Sequence, residues 1–376
     1  MDDLTRRRNR LVKLLKSHEL DALLVTHPLN VTYLTGFTGD SSFLIVGRKQ
    51  SIFVSDDRYA GQIADEIGDS MDVVIRKHDR TTMQMTAETL TQMGLNRVGV
   101  EATTMTLADY ERLSDLAPTV EFLSCDALVE SLRVIKDRSE IQSIRRAIDQ
   151  AERAFAMFRS MMQGHESEKE LADAMEGFVR RAGGVTTSFS PIVGIGDRSA
   201  LPHSTSSPTR RLHESPFLLL DWGSMDGSLY RSDLTRMLPS PARANFPVAT
   251  RRKIENRLCE LYTIVRNAQQ AAADTLRAGV EAKAVDAAAR KVMEEAGYND
   301  RFIHGLGHGV GLQIHESPSI RTNSDDILAA GMVVTLEPGI YLPEFGGVRL
   351  EDDFLITSDG CERLSHLPSD WDAYFA

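Results

Sequence analysis

The chain has 376 residues, a formal net charge of −11, and 42% hydrophobic and 26% charged residues, an ordinary composition for a globular protein. That length is enough for two domains with separate cores. The acidic balance argues against a general nucleic-acid binder, and no apolar run approaches the roughly 18 residues of a membrane span.

The N-terminal stretch MDDLTRRRNRLVKLLKSHEL contains basic residues but lacks the continuous apolar segment of a secretory signal. It reads as an amphipathic helix, with TRRRNR (5–10) on its solvated face. Cys125, Cys259 and Cys361 lie far apart, with neither a zinc spacing nor a disulfide framework, which suits a reducing cytoplasm. Strand and helix signals then alternate. ALLVT (22–26), SFLIVG (42–47) and SIFVSD (51–56) read as strands, with Gly47-Arg48-Lys49 turning the second into the third. Helices are expected at 58–67, 82–94 and 106–116, with strands at 72–77, 97–102 and 119–124 between them. This is an α/β layer domain, a mixed sheet with helices.

A long helix begins near Asp137. Its apolar residues Ile141, Ile144, Ile148, Ala151, Phe155, Phe158 and Met162 step by three and four, the stripe of a helix facing a core. Such a helix would bridge two domains, so the boundary is expected within 126–137, giving domains of residues 1–130 and 131–376. Ser167 and Glu170 form a capping-box pattern for the next helix, and Gly183-Gly184 ends it. Strands around SFSPIVGIG and PFLLLDWG follow, then helices near 249–277 and 281–296, then glycine-rich strands. The second domain is therefore α+β. The stretch 239–248 reads as a surface loop.

Chemistry concentrates in three segments. In LLLDWGSMDGSLYRSDLTRM (218–237), Asp226-Gly227 signals a turn. A loop centred on Gly227 would set Asp221 opposite Asp233, with Cβ atoms about 5 Å apart. In VVTLEPGIYLPEFGGVRLEDDFLIT (333–357), a loop centred near Glu344 would set Glu337 opposite Glu351. Carboxylates that close repel unless a cation neutralises them. In HGLGHGVGLQIH (304–315), His304 and His308 have the spacing of helical metal ligands, but Gly305, Gly307, Gly309 and Gly311 oppose a helix. They instead let backbone approach the site closely. Four carboxylates and an imidazole suit two divalent ions such as Mn²⁺, Co²⁺ or Zn²⁺. Two such ions about 3.5–4 Å apart can share a bridging hydroxide, a nucleophile at neutral pH.

DWGSMDGSLYRSDLTR, HGLGHGVGLQIHE, LEPGIY and VRLEDD together resemble the pita-bread metallopeptidases, within them the Xaa-Pro dipeptidase (prolidase) and aminopeptidase P branch. NVTYLTGFTGDSSFLIV (30–46), SDDRYAGQIADEI (55–67) and VIKDRSEIQSIRRA resemble other parts of the same branch, so the likeness spans essentially the whole chain. It implies a creatinase/prolidase-like N-terminal domain, a pita-bread catalytic domain and a homodimer. It implies a dinuclear hydrolase that cleaves Xaa-Pro bonds of dipeptides or short peptides, with manganese the leading metal. By the same likeness, Asp221, Asp233, His308, Glu337 and Glu351 are metal ligands, Asp233 and Glu351 bridging. Glu337 also handles the water proton. His315 stabilises the tetrahedral intermediate, His203 lies on the substrate side, and His304 stands near the entrance. Arg349 braces the site or meets a substrate carboxylate. The twelve-residue step from Asp221 to Asp233 is one longer than is common in the family, and Trp222 replaces a small or aliphatic residue; Trp222 is expected to pack away from the site. Relatives with other chemistry leave two alternatives: a hydrolase or lyase acting on a non-peptide small molecule, and a non-catalytic binding module. The intact ligand set disfavours the second.

Overall fold

Apolar strands with helices between them build the first of two units into which the chain divides, one ending at Arg133 and the other beginning at Val134. The structure, a computed structural model, describes residues 2–375. In chain order the first unit holds α1 (Asp3–Ser17), β1 (Ala22–Val25), α2 (Pro28–Thr35), β2 (Phe43–Gly47), β3 (Ser51–Ser55), α3 (Ala60–Glu66), β4 (Asp72–Ile75), α4 (Thr82–Gln92), β5 (Arg97–Glu101), α5 (Leu107–Leu116), β6 (Glu121–Cys125) and α6 (Leu128–Arg133). The sheet runs β4-β3-β2-β1-β5-β6. β1, β2 and β3 pair antiparallel, and the outer pairings are parallel. This is the mixed sheet the sequence predicts.

Two short helices escape the sequence reading. α2 carries no amphipathic stripe because six of its eight residues are buried, so periodicity is silent there. α6 lies within the expected boundary segment. One expectation is overturned: Arg7 and Arg8, read as part of a solvated face, are 6% and 8% exposed. Arg7 donates to the carbonyl of Tyr33 (3.0 Å) and Arg8 to that of Leu34 (2.7 Å). These carbonyls lie in the last turn of α2, where helical partners run out and the dipole attracts cations.

The second unit opens with α7 (Arg138–Met161) and α8 (Glu168–Arg181), both started by complete capping boxes, Asp137 with Glu140 and Ser167 with Glu170. α7 lies wholly inside this unit. Its stripe buries Ile144, Ile148, Ala151, Phe155 and Phe158. Next come β7 (Thr186–Thr187), β8 (Ile192–Ile195), β9 (Phe217–Trp222), β10 (Ser224–Met225) and β11 (Leu234–Pro239), then α9 (Val248–Thr275) and α10 (Ala282–Glu295). The remainder is β12 (Gly307–Gly309), β13 (Glu316–Ile320), β14 (Val333–Leu336), β15 (Gly339–Leu342), β16 (Gly346–Arg349), β17 (Asp352–Ile356), β18 (Cys361–Arg363) and α11 (Asp372–Phe375).

Sheets of order β11-β9-β8 and β13-β12-β14-β17-β18, with the β15–β16 pair, surround the centre of this unit. One core runs from α7 and α8 through β9 and α9 to β14 and β17. Trp222 is fully buried, stacks on Phe155 at 4.8 Å and donates its indole N–H to the carbonyl of Ala151 (3.0 Å). It packs, as its position beside Asp221 suggests. The 239–248 stretch is mostly exposed or half-buried, as a surface loop would be, and buried Ser240 anchors it by donating to the carbonyl of Leu212 (3.0 Å).

Arg8→Ala should lower stability by about 1–3 kcal/mol, because it leaves a buried carbonyl unpaired. Urea denaturation followed by circular dichroism would read this. An unchanged midpoint would show that the contact contributes nothing net.

Candidate metal centre

β9 and β11 pair with Asp221 opposite Thr235 and Trp222 opposite Leu234. The expected facing of Asp221 and Asp233 is therefore shifted: Asp233 precedes β11 and sits two residues along, on the diagonal. The turn explains it. Asp226 accepts the backbone N–H groups of Ser228 and Tyr230 (both 3.0 Å), and Met225 bridges Arg231, which centres the hairpin on Ser228 instead of Gly227. Side chains alternate with period two, so a two-residue displacement keeps Asp233 on the face of Asp221. Its backbone N–H donates to Asp353 (3.1 Å).

The second hairpin follows the register read from the sequence. Leu336 lies opposite Asp352 and Gly339 opposite Arg349, which sets Glu337 opposite Glu351. The strands break at Glu337-Pro338, so the two carboxylates occupy the seam between two sheets.

His308 lies in the three-residue strand β12, pinned between β13 and β14. Outside Gly307–Gly309 the segment is irregular backbone, and the glycines have the expected use. A Cβ on Gly307 would collide with the Thr335 carbonyl, and one on Gly309 with the Ser317 carbonyl. His308 Nδ1 is 3.1 Å from the Gly309 carbonyl. The tautomer with Nδ1–H donating there leaves Nε2 as a free electron pair. That Nε2 stands 3.6 Å from carboxylate oxygens of both Asp233 and Glu337. Ligand atoms of Asp233, His308 and Glu351 all lie within 4.8 Å of one another.

Arg349 holds the remaining members. Its guanidinium donates to Asp221 (2.5 Å), to the Tyr341 hydroxyl (2.9 Å) and to the Thr235 hydroxyl (3.1 Å). Thr235 in turn donates to Glu351 (2.7 Å). Asp352 does not join the cluster, because fully buried Arg236 holds it at 2.6 Å. Thr235, Tyr341 and Asp353 were not singled out in the sequence. Thr235 was within reach, standing two residues from Asp233 on the same face of a strand. Nothing local marks the other two.

The electrostatics call for cations. Asp221, Asp233 and Glu351 are 7%, 5% and 2% exposed. Burial pushes all three carboxyls up; neighbouring carboxylates push Asp233 and Glu351 further, while Arg349 pulls Asp221 back. Burial lifts Glu337 to about 8 against the pull of Arg349. Burial, with the charge of His315, depresses His308 to about 4, the neutral form that binds metal. One oxygen each of Asp221 and Asp233 is buried without a hydrogen-bond partner, a costly state that a bound cation relieves. The donor set, oxygen-rich with one imidazole, fits divalent metal ions.

A cavity of about 330 Å³ opens onto the cluster. It is lined by Asp221, His308, Glu337 and Arg349, by His203, His304 and His315, and by Ser319 and Arg321. His304 points its Nε2 at the Tyr341 hydroxyl (2.8 Å) and packs edge-on against Phe302, so it lines the cavity without joining the carboxylates. His308 and His315 meet edge to face at 4.3 Å. A larger groove of about 730 Å³ near Arg266 and Asp370 contains no member of the cluster.

With this geometry the chain belongs to metallopeptidase family M24, whose profile matches residues 142–358; a creatinase/prolidase N-terminal domain profile matches residues 7–135. The chain is 33% identical to the Xaa-Pro dipeptidase of Pyrococcus furiosus over 363 residues, covering 96% of this chain and 97% of that protein. An Xaa-Pro dipeptidase structure from Bacillus anthracis superposes with TM-score 0.89 at 33% identity, covering 98% of this chain and 99% of the other. An X-Pro aminopeptidase structure from Thermotoga maritima gives TM-score 0.84 at 30% identity, with 94% and 97% covered. The expected architecture, a creatinase-type N-terminal domain followed by a pita-bread catalytic domain, is the one found.

Thr235→Val removes the hydroxyl shared by Arg349 and Glu351 at nearly constant shape. Outer partners of this kind are worth roughly 10–100-fold in metal affinity. Calorimetric titration with Mn²⁺ should show a loss of that size; equal affinity in the variant would deny Thr235 that part.

Proposed function

We propose that this metallopeptidase cleaves the bond between an N-terminal residue and proline in dipeptides or short peptides. The observation that carries the reading is the convergence of four carboxylates and His308, two of the carboxylates with unsatisfied buried oxygens. Relatives named Xaa-Pro dipeptidase and X-Pro aminopeptidase supply the substrate class.

In this reading Asp221, Asp233, His308, Glu337 and Glu351 would hold two divalent ions. Such ions supply Lewis acidity and lower the pKa of water into the neutral range. The chain's own groups do the rest. Glu337, which lines the cavity 3.6 Å from His308, is placed to accept a proton from water and return it to a leaving nitrogen. The scissile Xaa-Pro nitrogen, like any amide nitrogen, departs only after protonation, so the bond requires a proton donor. His315, on the cavity wall, donates to the oxygen that gains charge as the carbonyl is attacked. His203 lines the substrate side of the same cavity, and His304, fixed by Tyr341, shapes its entrance. Arg349 braces the site, since its contacts to Asp221, Tyr341 and Thr235 leave it committed. Manganese as the resident metal and a homodimeric assembly complete the proposal on family likeness. A cytoplasmic setting fits three free cysteines. No helix among the described residues is long and apolar enough to cross a membrane.

Metal analysis of purified protein should find two divalent ions per chain. Chelation should abolish cleavage of an Xaa-Pro dipeptide, and Mn²⁺ should restore it. Asp233→Ala should reduce turnover to background while the circular dichroism spectrum stays that of the wild type. Wild-type turnover by that variant would refute the dinuclear mechanism.

A further inference from the structure

Two of the five ligand candidates stand where strand pairing stops. β14 pairs with β17 as far as Leu336 opposite Asp352, and β15 pairs with β16 from Gly339 opposite Arg349. Glu337 and Glu351 lie between these ladders, and their backbone N–H groups turn elsewhere. That of Glu337 donates to the Leu306 carbonyl (2.8 Å), and that of Glu351 to the Thr235 carbonyl (3.3 Å). Each of these N–H groups belongs to a planar peptide unit whose other polar atom is the carbonyl of the preceding residue, Leu336 or Leu350. Both leucines are fully buried, so both carbonyls need a partner inside the protein.

One side chain serves them both. Gln269 of α9 donates from Nε2 to the Leu336 carbonyl (3.0 Å), to the Leu350 carbonyl (3.3 Å) and to Asp352 (3.2 Å). All three partners are acceptors, so the nitrogen of the amide and not its oxygen faces them. Asp352 is itself fixed, since Arg236 holds its other carboxylate oxygen at 2.6 Å. Gln269 is 5% exposed and sits on the buried stripe of α9 with Val265, Ala268 and Ala272. An apolar residue would serve that stripe better, because a buried amide costs free energy unless it is hydrogen-bonded. What the amide adds is the seam. A planar peptide held at its carbonyl and at its N–H cannot rotate, and the two units so held are the ones that lead into Glu337 and Glu351.

We propose that Gln269 is a positioning residue of the metal centre: its amide sets the two peptide planes that carry Glu337 and Glu351, and with them the affinity for divalent ions. This rests on the reading that the clustered carboxylates hold such ions. Gln269 touches neither glutamate side chain and acts through their backbone alone. It also lines the groove of about 730 Å³ that contains no member of the cluster, which leaves room for a replaced side chain.

The test titrates metal-free full-length protein with Mn²⁺ by calorimetry. Gln269→Met keeps the length of the side chain without its donor. It should bind Mn²⁺ at least about tenfold more weakly, the lower end of what outer partners contribute. Ser240→Ala is the control, because Ser240 is also buried and also donates to a carbonyl of this unit, that of Leu212. Both variants should unfold at lower temperature than the wild type, and only Gln269→Met should lose metal affinity. Should Gln269→Met not fold, Gln269→Asn, which draws the amide back by one carbon, is read against the same control. Wild-type Mn²⁺ affinity in a folded Gln269 variant would overturn the proposal and leave the metal centre standing. An equal loss of affinity in Ser240→Ala would overturn it too, since general loosening would then account for the effect. A wild-type protein that takes up no Mn²⁺ would remove the metal centre and this proposal together.

Discussion

Four carboxylates and one imidazole share a nearly dry centre, and the catalytic unit is arranged around their mutual repulsion. Asp233 and Glu351 are pushed away from ionisation by burial and by neighbouring carboxylates. Bound cations turn that penalty into affinity, because a ligand that binds only the folded state stabilises it. Arg349 supplies one fixed positive charge within the cluster, and divalent ions supply what it does not.

The same constraint accounts for the layer beneath. Thr235 links Arg349 to Glu351, Asp353 holds the backbone N–H of Asp233, and Arg236 draws Asp352 away from the cluster. Each fixes where a carboxylate oxygen can go, so that the cluster collects the intended four. The glycines of the histidine segment serve the same end from the opposite wall. Only a residue without a Cβ lets β12 come close enough to Thr335 and Ser317 to present His308 at 3.6 Å from two carboxylates.

The cavity above this centre separates groups by whether they are already engaged. Arg349 and His304 are tied into a chain through Tyr341, and burial keeps His304 near 4 and so uncharged at neutral pH. Arg321, which also lines the cavity, is not tied. The engaged groups suit the shaping of the site.

The sequence by itself determined the element types, because apolar period and caps act locally: the long stripe from Ile144 to Phe158, the two capping boxes and the alternating strands of the first unit were all legible. The register of Glu337 with Glu351 was legible too, since Pro343 and Gly346-Gly347 confine that turn. Tertiary structure decided the rest. Asp226 caps its own loop and moved the first hairpin's centre, so Asp221 faces Thr235 and meets Asp233 only on the diagonal. Arg7 and Arg8 look like solvated charge until α2 brings its unpaired carbonyls beside them. Tyr341, Asp353 and Arg321 gain their surroundings from strands distant in the chain, and no local pattern encodes a partner that only folding brings near.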